Sequence, residues 1–498
     1  MTMTTDQSKS VAAVILLAAG SGTRMKSHTS KLLHTIAGRS LLSWAVTAAQ
    51  GVAPEKLVVV VGHQRDQVEA HLHDIAPDAL TAVQDQPLGT GHAVAAGLDV
   101  LGAIDGEIVV TYGDVPMLTG ETLRRLVNHH RQSANAVTVM TAVVDDPSGY
   151  GRILRSGDDI LGIVEHRDAD NAQRAINEIN SGIYVFDAAV LRDGLAHLTP
   201  NNDQGQLYLT DVLAHARSRG QRIGAYVETD IWQTEGVNDR VQLAAMAAEM
   251  NQRILTRLML DGVTIIDPKT CWVEADVSFG IDVELWPGTI LRGATSIADG
   301  AIIGPDTRLV DVEVGAGASV IRSEATLAVI GEGAQVGPFS FIRPGTQLGA
   351  NGKIGAFVEA KNAVIGDGSK VPHLTYCGDA TIGEGVNVGA GTIFANYDSV
   401  HKHHTSVGDR SFIGSDSVIV APVTIGDDAF VAAGSVIVND VPGGDLAVAR
   451  GRQRNIAEWV EGHRVKLANP TDSPTLPTPT ASPDGSSTIN ATASTPKE

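Results

Sequence analysis

The sequence predicts two successive folds: an α/β domain with a Rossmann-like, mostly parallel sheet, followed by a parallel β-helix of hexapeptide repeats. Up to about residue 238, apolar runs alternate with amphipathic segments, as in a parallel sheet covered by helices. From residue 262 to residue 450, aliphatic–glycine pairs recur, often 6 or 12 residues apart. This period predicts a solenoid whose short strands each turn one side chain inward. The 498 residues suffice for two to four domains.

We interpret residues 1–238 as the α/β domain. The runs predicted to be buried strands are Val11–Ala19, Lys56–Val61, Glu107–Thr111, Ala136–Val143 and Ile183–Phe186, and the amphipathic segments between them include Leu41–Gln50, Gln67–Leu72 and Gly120–His130. Ligands of such sheets bind beyond the carboxyl ends of the strands, so the loops leaving these strands are the expected site of chemistry.

Residues 239–262 are predicted to be a linker helix, because Arg240–Leu260 has apolar residues at helical spacing and lacks glycine and proline. Residues 263–466 are predicted to be the β-helix domain with a C-terminal segment, since a β-sandwich would not keep a six-residue period. Phe394–Ser406 interrupts the repeat and contains three histidines between His401 and His404. This insertion is a solvated loop, a metal site or a contact with a neighbouring subunit. Residues 467–498, rich in proline, serine and threonine, are a predicted disordered tail.

Charge and cysteine content exclude several classes of protein. The chain has 37 lysines and arginines against 57 aspartates and glutamates, a net charge of −20, and no basic patch that would bind a nucleic acid. Its two cysteines, Cys271 and Cys377, suit a reducing cytoplasm. The apolar run Val11–Ala19 is too short to span a membrane. A glycine-rich loop follows it instead of a cleavage site, which argues against a signal peptide.

The loop after the first strand has the features of a nucleotide-binding loop. It reads Leu17-Ala18-Ala19-Gly20-Ser21-Gly22-Thr23-Arg24-Met25, and Lys31 follows it. Glycines allow the backbone N–H groups to approach phosphates, while Arg24 and Lys31 supply charge that compensates a triphosphate.

This string resembles the signature of sugar-nucleotide pyrophosphorylases, also called nucleotidyltransferases, and the resemblance implies functional residues. It implies that Arg24 and Lys31 act in catalysis and that Asp114 and Asn238 hold Mg²⁺. The residues implied to bind the nucleotide and the sugar are Leu17, Ala18, Ala19, Gly20, Lys31, Gln84, Gly89, Thr90, Tyr112, Gly113, Asp114, Gly151, Glu165, Asn180 and Asn238. Among them, Gln84 and the segment Leu88–Ala93 would read the base, and Gly151, Glu165 and Asn180 would contact the sugar.

The reaction implied is an in-line attack of a sugar 1-phosphate oxygen on the α-phosphorus of a nucleoside triphosphate, with release of pyrophosphate. A phosphate oxygen is already ionised at neutral pH, so the step needs no protein nucleophile or general base. Positioning and neutralisation of charge by Mg²⁺, Arg24 and Lys31 are then sufficient.

The predicted β-helix carries a cluster of polar residues that a scaffold would not need. Arg343 and Lys361 are one coil apart at roughly eighteen residues per coil, so they stack into a candidate anion site. The motifs in this region are Arg343-Pro344-Gly345, Phe357-Val358-Glu359-Ala360-Lys361, His373-Leu374-Thr375-Tyr376 and Gly391-Thr392-Ile393-Phe394-Ala395-Asn396-Tyr397-Asp398. They resemble the acetyltransferase half of the bifunctional GlmU family, whose first half is a uridyltransferase.

This resemblance covers residues 11–460 and implies both fold and function. It implies a left-handed β-helix, a homotrimer, and the synthesis of UDP-N-acetylglucosamine, a cell-wall precursor, from glucosamine 1-phosphate, acetyl-coenzyme A and UTP through N-acetylglucosamine 1-phosphate. His373 would be the general base that deprotonates the amine, and Glu359 would orient it. Arg343, Lys361, Tyr376 and Asn387 would bind glucosamine phosphate. The residues implied to bind acetyl-coenzyme A are Ala390, Asn396, Tyr397, Ser415, Ala433 and Arg450.

Two departures and two alternatives accompany this interpretation. Ser30 stands where the family commonly has proline, and Asp239 where it has asparagine, so nucleotide or metal affinity could differ. One alternative is a single-activity nucleotidyltransferase with a structural or regulatory β-helix, which the polar residues of the β-helix argue against. The other is a degenerate nucleotide sensor, which the presence of Arg24, Lys31 and Asp114 argues against.

Overall fold

The computed structural model describes residues 10–157, 159–202 and 204–468. The predicted tail lies outside the described residues from 469 onward. The chain divides into two compact units, one ending at Ala449 and one beginning at Arg450. The described part of the second unit contains one helix, Trp459–Ala468. Nowhere in the three described stretches is a helix both long enough and apolar enough to cross a membrane.

The first unit begins with an α/β domain. Its strands are β1 (Ala13–Ala18), β2 (Thr35–Ile36), β3 (Arg39–Ser40), β4 (Lys56–Val61), β5 (Leu80–Val83), β6 (Glu107–Tyr112), β7 (Val137–Val143), β8 (Arg152–Ser156), β9 (Asp159–Val164), β10 (Glu178–Asp187) and β11 (Ile223–Val227). Its helices are α1 (Leu41–Gln50), α2 (Arg65–Ile75), α3 (Thr90–Leu101), α4 (Gly120–Gln132), α5 (Asn171–Arg174), α6 (Ala188–Ala196) and α7 (Asp211–Ser218).

The main sheet of this domain has the order β11-β7-β10-β6-β1-β4-β5. Strands β6, β1, β4 and β5 are parallel to one another, as are β7 and β11. Strand β1 is buried along its whole length because helices cover both faces of the sheet. The predicted mostly parallel sheet is therefore confirmed, and the carboxyl ends of β1, β4 and β6 meet at one edge.

The strand predicted over Ile183–Phe186 is longer and runs antiparallel to its neighbours. β10 spans Glu178–Asp187, pairs with β6 and β7, and has an irregularity between Asn180 and Tyr184. Its first residues also pair with β8 of the β8–β9 hairpin, which the sequence did not predict. A bulge re-aims the side chains beside it, and here it lies next to predicted site residues.

The second half of the first unit consists of short parallel strands. They are β12 (Thr264–Ile265), β13 (Trp272–Val273), β14 (Ser278–Phe279), β15 (Glu284–Leu285), β16 (Ile290–Arg292), β17 (Ser296–Ile297), β18 (Ile302–Ile303), β19 (Arg308–Val314), β20 (Ser319–Val320), β21 (Glu324–Ile330), β22 (Gln335–Val336), β23 (Phe341–Ile342), β24 (Gln347–Leu348), β25 (Lys353–Ala356), β26 (Glu359–Ile365), β27 (Lys370–His373), β28 (Tyr376–Ile382), β29 (Asn387–Val388), β30 (Ile393–Ala395), β31 (Thr405–Val407), β32 (Phe412–Ile413), β33 (Val418–Val420), β34 (Val423–Ile425), β35 (Phe430–Val431), β36 (Val436–Ile437) and β37 (Leu446–Ala447).

These strands stack in parallel register to form a β-helix. Leu285 pairs with Ile303 one coil later, and Val336 pairs in the same way with Ile354. All four side chains are buried on the axis, as the six-residue period predicts. Val388 pairs with Ile413, a longer step, because residues 396–404 leave the coil there. The predicted insertion Phe394–Ser406 is therefore shorter than expected, since its two ends lie in the paired strands β30 and β31.

The predicted connecting helix is α8, Arg240–Leu260, which packs onto the first coil of the β-helix. Asn251, buried in the middle of α8, donates to the Cys271 carbonyl at 2.9 Å and accepts from the Val273 N–H at 3.0 Å. The β2–β3 hairpin, which follows Lys31, also contacts this coil, since the Ala275 N–H donates to the Ala37 carbonyl at 2.9 Å. The α/β domain and the β-helix are thus joined by specific hydrogen bonds.

Buried His130 predicts a pH-dependent stability. It is 2% exposed and contacts the Thr138 hydroxyl at 2.9 Å. Burial, only partly offset by Asp187, lowers the pKa of His130 below its ordinary 6.5. The unfolded chain therefore binds a proton at this histidine more readily than the folded chain does. The contribution of neutral, buried His130 to stability is present above pH 6.5 and is lost as the pH falls through the folded-state pKa.

We expect thermal unfolding of the α/β domain to occur at lower temperature at pH 5.5 than at pH 7.5. In His130→Gln, the difference between the unfolding temperatures at these two pH values should be smaller by about 2 °C or more. Equal differences in the parent and the variant would contradict the burial of a neutral imidazole.

Candidate functional site

The predicted nucleotide loop leaves β1 and folds back over Lys31. Gly22 has a φ of +58°, and a Cβ there would lie 2.8 Å from Cβ of Lys31. Only glycine combines this left-handed backbone with so close an approach. The loop backbone and the Lys31 side chain are thereby held on one side of a cleft at the carboxyl edge of the sheet.

Lys31 brings together the two residues predicted to hold a metal. Its ammonium forms an ion pair with Asp114 Oδ2 and lies 3.5 Å from Asn238 Oδ1, which also accepts from Arg24 Nη2 at 3.0 Å. Asp114 follows β6, whereas Asn238 precedes α8 and lies 124 residues further along the chain. Two cationic side chains therefore meet two side-chain oxygen atoms that are able to bind a metal, although Asp114 and Asn238 are distant in sequence.

The cleft beside this point has a volume of about 640 Å³. Of the residues predicted from sequence to bind the nucleotide, Leu17, Ala18, Ala19, Gly20, Lys31, Gln84, Gly89, Thr90, Tyr112 and Asp114 line it. Gly113 lies beneath the cleft, where its N–H donates to the Leu17 carbonyl at 2.9 Å.

Gln84 is held against the segment that opens α3. Its amide nitrogen donates to the Gly89 carbonyl at 3.0 Å and lies 3.2 Å from His92 Nδ1, and the residue lines the cleft. The segment is braced from the other side, where the Gly91 N–H donates to the Leu207 carbonyl at 2.8 Å and Leu207 donates to the Leu88 carbonyl at 2.7 Å. The chain before α7 therefore supports the predicted base-reading segment.

A second cavity of about 280 Å³ contains Gly151, Glu165 and Asn180, which were predicted to contact the sugar. Thr90 and Tyr112 line both cavities, so the two are adjacent. The Asn180 N–H donates to the Gly151 carbonyl at 2.9 Å, and its side-chain oxygen accepts from the Tyr184 hydroxyl at 2.9 Å. The bulge of β10 thus aims Asn180 into the cavity.

The electrostatics of this cavity favour neutral groups. Burial, with Asp168 and Asp211 nearby, raises the pKa of Glu165. Burial and the carboxylates of Asp114 and Glu165 raise the pKa of Tyr112, which keeps its hydroxyl protonated. Such groups offer hydrogen bonds to sugar hydroxyls with little charge.

A polar cluster forms on the β-helix where the sequence predicted one. Glu359 pairs in register with Tyr376, and the Arg343 N–H donates to the Ala360 carbonyl at 2.8 Å, so Arg343 and Lys361 stack on successive coils. Asn396 Nδ2 lies 3.4 Å from the Tyr376 hydroxyl and also bonds to Asp379. Four successive coils thus bring Arg343, Lys361, Tyr376 and Asn396 together.

Lys402 joins this cluster from the Phe394–Ser406 insertion. Contact with the Lys402 ammonium lowers the pKa of Lys361, and Arg343 adds to the effect. Lys402 is positioned by a bridge to Tyr397 within the insertion. The contact of Lys361 with Lys402, with the Arg343 charge near Lys361, suits the binding of an anion, because like charges repel until a counter-charge binds.

His373 lies at the exposed end of β27, and Tyr376 follows it after one corner. Within the described residues the His373 ring makes no hydrogen bond. The Glu359 carboxylate accepts from Arg343 Nη1 at 2.8 Å, so its role in orienting His373 stays a prediction. Asn387 stacks beside Lys370, at the other end of the strand that carries His373.

The residues predicted to bind acetyl-coenzyme A lie on successive coils. The Asp416 N–H donates to the Ala390 carbonyl and the Gly434 N–H to the Ser415 carbonyl, both at 2.8 Å. Ala390, Ser415 and Ala433 therefore stack in a row along one corner, with Ser415 and Ala433 exposed. Arg450 is an exposed residue of the second unit.

The histidines of the insertion have protein partners. His403 Nε2 contacts Asp398 Oδ2 at 2.7 Å, and His404 Nε2 contacts the Thr381 hydroxyl at 3.0 Å. The backbone N–H groups of His401 and Val400, together with His403, lower the pKa of Asp398 to about 2. Hydrogen bonds to the Asp398 carboxylate thus hold the insertion in place. Lys402 is the residue of the insertion that contacts the polar cluster.

Sequence analysis missed several residues of these sites. They are His63, Arg65 and Gln206 at the nucleotide cleft, Tyr208 at the sugar cavity, and Lys402 on the β-helix. For His63 and Arg65 a signal existed, because they follow β4, whose carboxyl end adjoins that of β1. No local pattern marked Gln206, Tyr208 or Lys402, which reach the sites through tertiary contacts.

Comparison with known proteins identifies the family. A family model described as nucleotidyl transferase matches residues 13–248, and one described as hexapeptide repeat of succinyl-transferase matches residues 404–438. The "Bifunctional protein GlmU" of Cutibacterium acnes is 59% identical over 77% of this chain and 94% of that protein. Its namesake from Streptomyces avermitilis is 55% identical over 91% of this chain and 95% of that protein. The chain belongs to the GlmU family of bifunctional proteins.

The predicted family, fold class and enzyme class are thereby confirmed. This GlmU-family protein is a bifunctional transferase of UDP-N-acetylglucosamine synthesis, with uridyltransferase and acetyltransferase activities that use UTP and acetyl-coenzyme A. The similarity extends through both folds, which argues against a single-activity enzyme and a nucleotide sensor.

Proposed function

We propose that the cleft of the α/β domain, within residues 1–238, transfers uridylyl from UTP to N-acetylglucosamine 1-phosphate, and that the β-helix domain, within residues 263–466, acetylates glucosamine 1-phosphate. The observation that carries the first assignment is the convergence of Lys31, Asp114 and Asn238 beside the nucleotide loop. The observation that carries the second is the contact of Lys361 with Lys402 beside Tyr376 and His373.

The residues at the cleft fit Mg²⁺. Asp114 offers a carboxylate and Asn238 an amide oxygen, the hard donors that Mg²⁺ prefers. Both already face one cation, the Lys31 ammonium. Asp114 and Asn238 would hold the ion, which supplies charge neutralisation to the phosphates when bound.

The other groups position the reactants. Backbone N–H groups from Gly20 to Gly22 face the phosphates, and Lys31 and Arg24 hold charge at the reacting end of the cleft. Gln84 lines the cleft and would contact the base, while Glu165 and Asn180 receive the sugar. The sugar phosphate is already ionised, so these residues orient two ligands and remove no proton.

His63 and Arg65 form an additional wall for the triphosphate. Gly62 follows β4, and a Cβ there would lie 2.9 Å from Cβ of Ala19, so this turn lies against the nucleotide loop. Arg24 and Lys31 are directed at Asn238 and Asp114. The nearest carboxylate to Arg65 is exposed Asp66, at 3.6 Å. Arg65 is therefore placed to contact the β- and γ-phosphates, which leave as pyrophosphate.

Replacing Arg65 by alanine should raise the KM for UTP about tenfold, the usual effect of losing one hydrogen bond to a charged group. In the reverse direction the KM for pyrophosphate should rise as well. The KM for UDP-N-acetylglucosamine should not change, because that ligand lacks the two phosphates that leave. Lys56→Ala, at the other end of β4, is the matched control, and equal effects on all three ligands would contradict the assignment.

In the β-helix, Arg343, Lys361 and Lys402 would bind the phosphate of glucosamine 1-phosphate, with Tyr376 and Asn387 at the sugar. His373 would take a proton from the ammonium group, since only the free amine attacks the thioester carbonyl. The amine nitrogen then forms the amide bond as the carbon–sulfur bond breaks. The proton that this nitrogen loses passes to the leaving coenzyme A thiolate. Ala390, Asn396, Tyr397, Ser415, Ala433 and Arg450 would line the acetyl-coenzyme A site.

We propose a homotrimer in the cytoplasm. An exposed apolar ladder of Phe339, Phe357 and Leu374 runs along the β-helix beside His373, and a partner subunit would cover it. UTP and acetyl-coenzyme A are cytoplasmic metabolites, and both cysteines are free and buried. Light scattering of the purified chain tests the trimer.

One experiment tests the function as a whole. Glucosamine 1-phosphate, acetyl-coenzyme A and UTP are supplied together with Mg²⁺, and thiol, pyrophosphate and UDP-N-acetylglucosamine are measured. All three products are expected. Thiol release without pyrophosphate, or the reverse, would remove one of the two assignments.

A further inference from the structure

Two histidines and an aspartate meet between α6 and α7, away from the metal ligands at the cleft. The His215 Nε2 atom lies 2.8 Å from Asp193 Oδ2, and the His197 Nδ1 atom lies 3.7 Å from Asp193 Oδ1. The two imidazole rings are stacked with centroids 4.5 Å apart. Asp193 is on α6, His197 follows its last residue, and His215 is on α7.

The donor atoms of this cluster are spaced for a transition metal. One donor from each side chain lies within 4.8 Å of the other two. Ligands of tetrahedral Zn²⁺ lie roughly 3.3 Å apart, given Zn–N distances of about 2.0 Å. The side chains of His197 and Asp193 are 55% and 41% exposed, so they have room to rotate. Such rotation can shorten the distances between the donor atoms to those of zinc ligands. His197 Nδ1 also contacts the Asp193 carbonyl at 2.8 Å, and metal binding through this atom would replace that contact.

We propose that Asp193, His197 and His215 bind one divalent transition-metal ion of the Zn²⁺ class, with water completing its coordination. Two imidazoles and one carboxylate are a donor set that suits Zn²⁺ and not Mg²⁺. The site is therefore chemically distinct from the oxygen ligands Asp114 and Asn238.

Arg219 opposes metal binding at this site. Its Nε atom lies 3.7 Å from Asp193 Oδ2, and the guanidinium is 60% exposed. The metal competes with this cation for the carboxylate. Removal of the Arg219 charge should therefore strengthen metal binding, whereas removal of a ligand should weaken it.

The metal would stiffen the chain that lines the sugar cavity. The segment Gln204–Thr210 leads directly into α7 and contributes Gln206 and Tyr208 to that cavity. α6 and α7 already pack closely, since a Cβ on Gly194 would lie 2.5 Å from Val212. A metal bridging Asp193 and His215 would tie α7, one turn after its start, to α6. This consequence for the sugar cavity rests on the proposed function, whereas metal binding itself does not.

Titration of the full, tag-free chain with Zn²⁺ against a chromophoric chelator tests the site, with millimolar Mg²⁺ present to occupy the cleft. We expect one Zn²⁺ per chain bound at the proposed site. His215→Ala and His197→Ala should each weaken this binding at least tenfold. Arg219→Ala should strengthen it about twofold or more, because a competing charge is lost.

His403→Ala is the matched control, because His403 forms a similar contact with Asp398 but belongs to no three-ligand group among the described residues. It should bind Zn²⁺ like the parent chain. Parent-like affinity in both His197→Ala and His215→Ala would overturn the proposal, as would weaker binding in Arg219→Ala.

The coupling to the sugar cavity has its own measurement. Zn²⁺ should slow amide hydrogen exchange in residues 204–210 of the parent chain and not of His215→Ala. Zinc bound at the proposed site without this protection would overturn the coupling. Loss of uridylyl transfer from the chain would not affect either measurement, so the failure of the proposed function and that of the metal site are distinguishable.

Discussion

Replacing Asp114 by alanine is expected to abolish uridylyl transfer and to leave acetyl transfer at its original rate. The substitution removes the carboxylate that pairs with Lys31 and that would hold Mg²⁺ with Asn238. Loss of such a charge contact costs several kcal/mol of transition-state stabilisation, which corresponds to a fall in rate of roughly 10³-fold. Pyrophosphate release from UTP and N-acetylglucosamine 1-phosphate measures the effect.

Acetyl transfer by the same variant is the internal control, because the β-helix carries its own site. Asp114→Asn keeps the shape and one oxygen donor but removes the charge, so it separates charge from packing. It should be nearly as inactive as Asp114→Ala. Pyrophosphate release close to that of the parent chain in either variant would show that Asp114 does not belong to the reacting end of the cleft.

Replacing His373 by alanine is expected to lower acetyl transfer by roughly 10²-fold or more, the usual contribution of a general base. The loss should fall on kcat, because the proposed phosphate ligands are Arg343, Lys361 and Lys402. Uridylyl transfer should not change. Raising the pH should partly restore the variant, since a larger fraction of the amine is then already deprotonated.

Arg343→Ala supplies the contrast, since it should raise the KM for glucosamine 1-phosphate more than it lowers kcat. Thiol release from acetyl-coenzyme A measures both variants. If His373→Ala kept full thiol release at neutral pH, the proton would leave through another group, and Tyr397, Glu359 or bound water would become the candidates.

Much of the fold was predictable because its patterns are local. The six-residue period of the β-helix follows from the one inward side chain of each short strand, so pairs such as Ile303-Gly304 revealed it. Helix α8 was predictable from its spacing. In contrast, the antiparallel direction of β10 depends on its pairing with β6 and β7, and no pattern in Ile183–Phe186 contains this information.

The sequence by itself determined the family and the two folds and predicted the residues of both sites, because the nucleotide loop and the His373 motif are contiguous strings. Only the tertiary structure decided which residues meet. Lys31 contacts both Asp114 and Asn238, and Lys402 reaches Lys361, across long stretches of chain. Glu359 likewise pairs with Arg343. Such contacts depend on where a loop or a distant segment folds back and on which way a side chain turns, and neither the coil spacing nor a local motif contains that information.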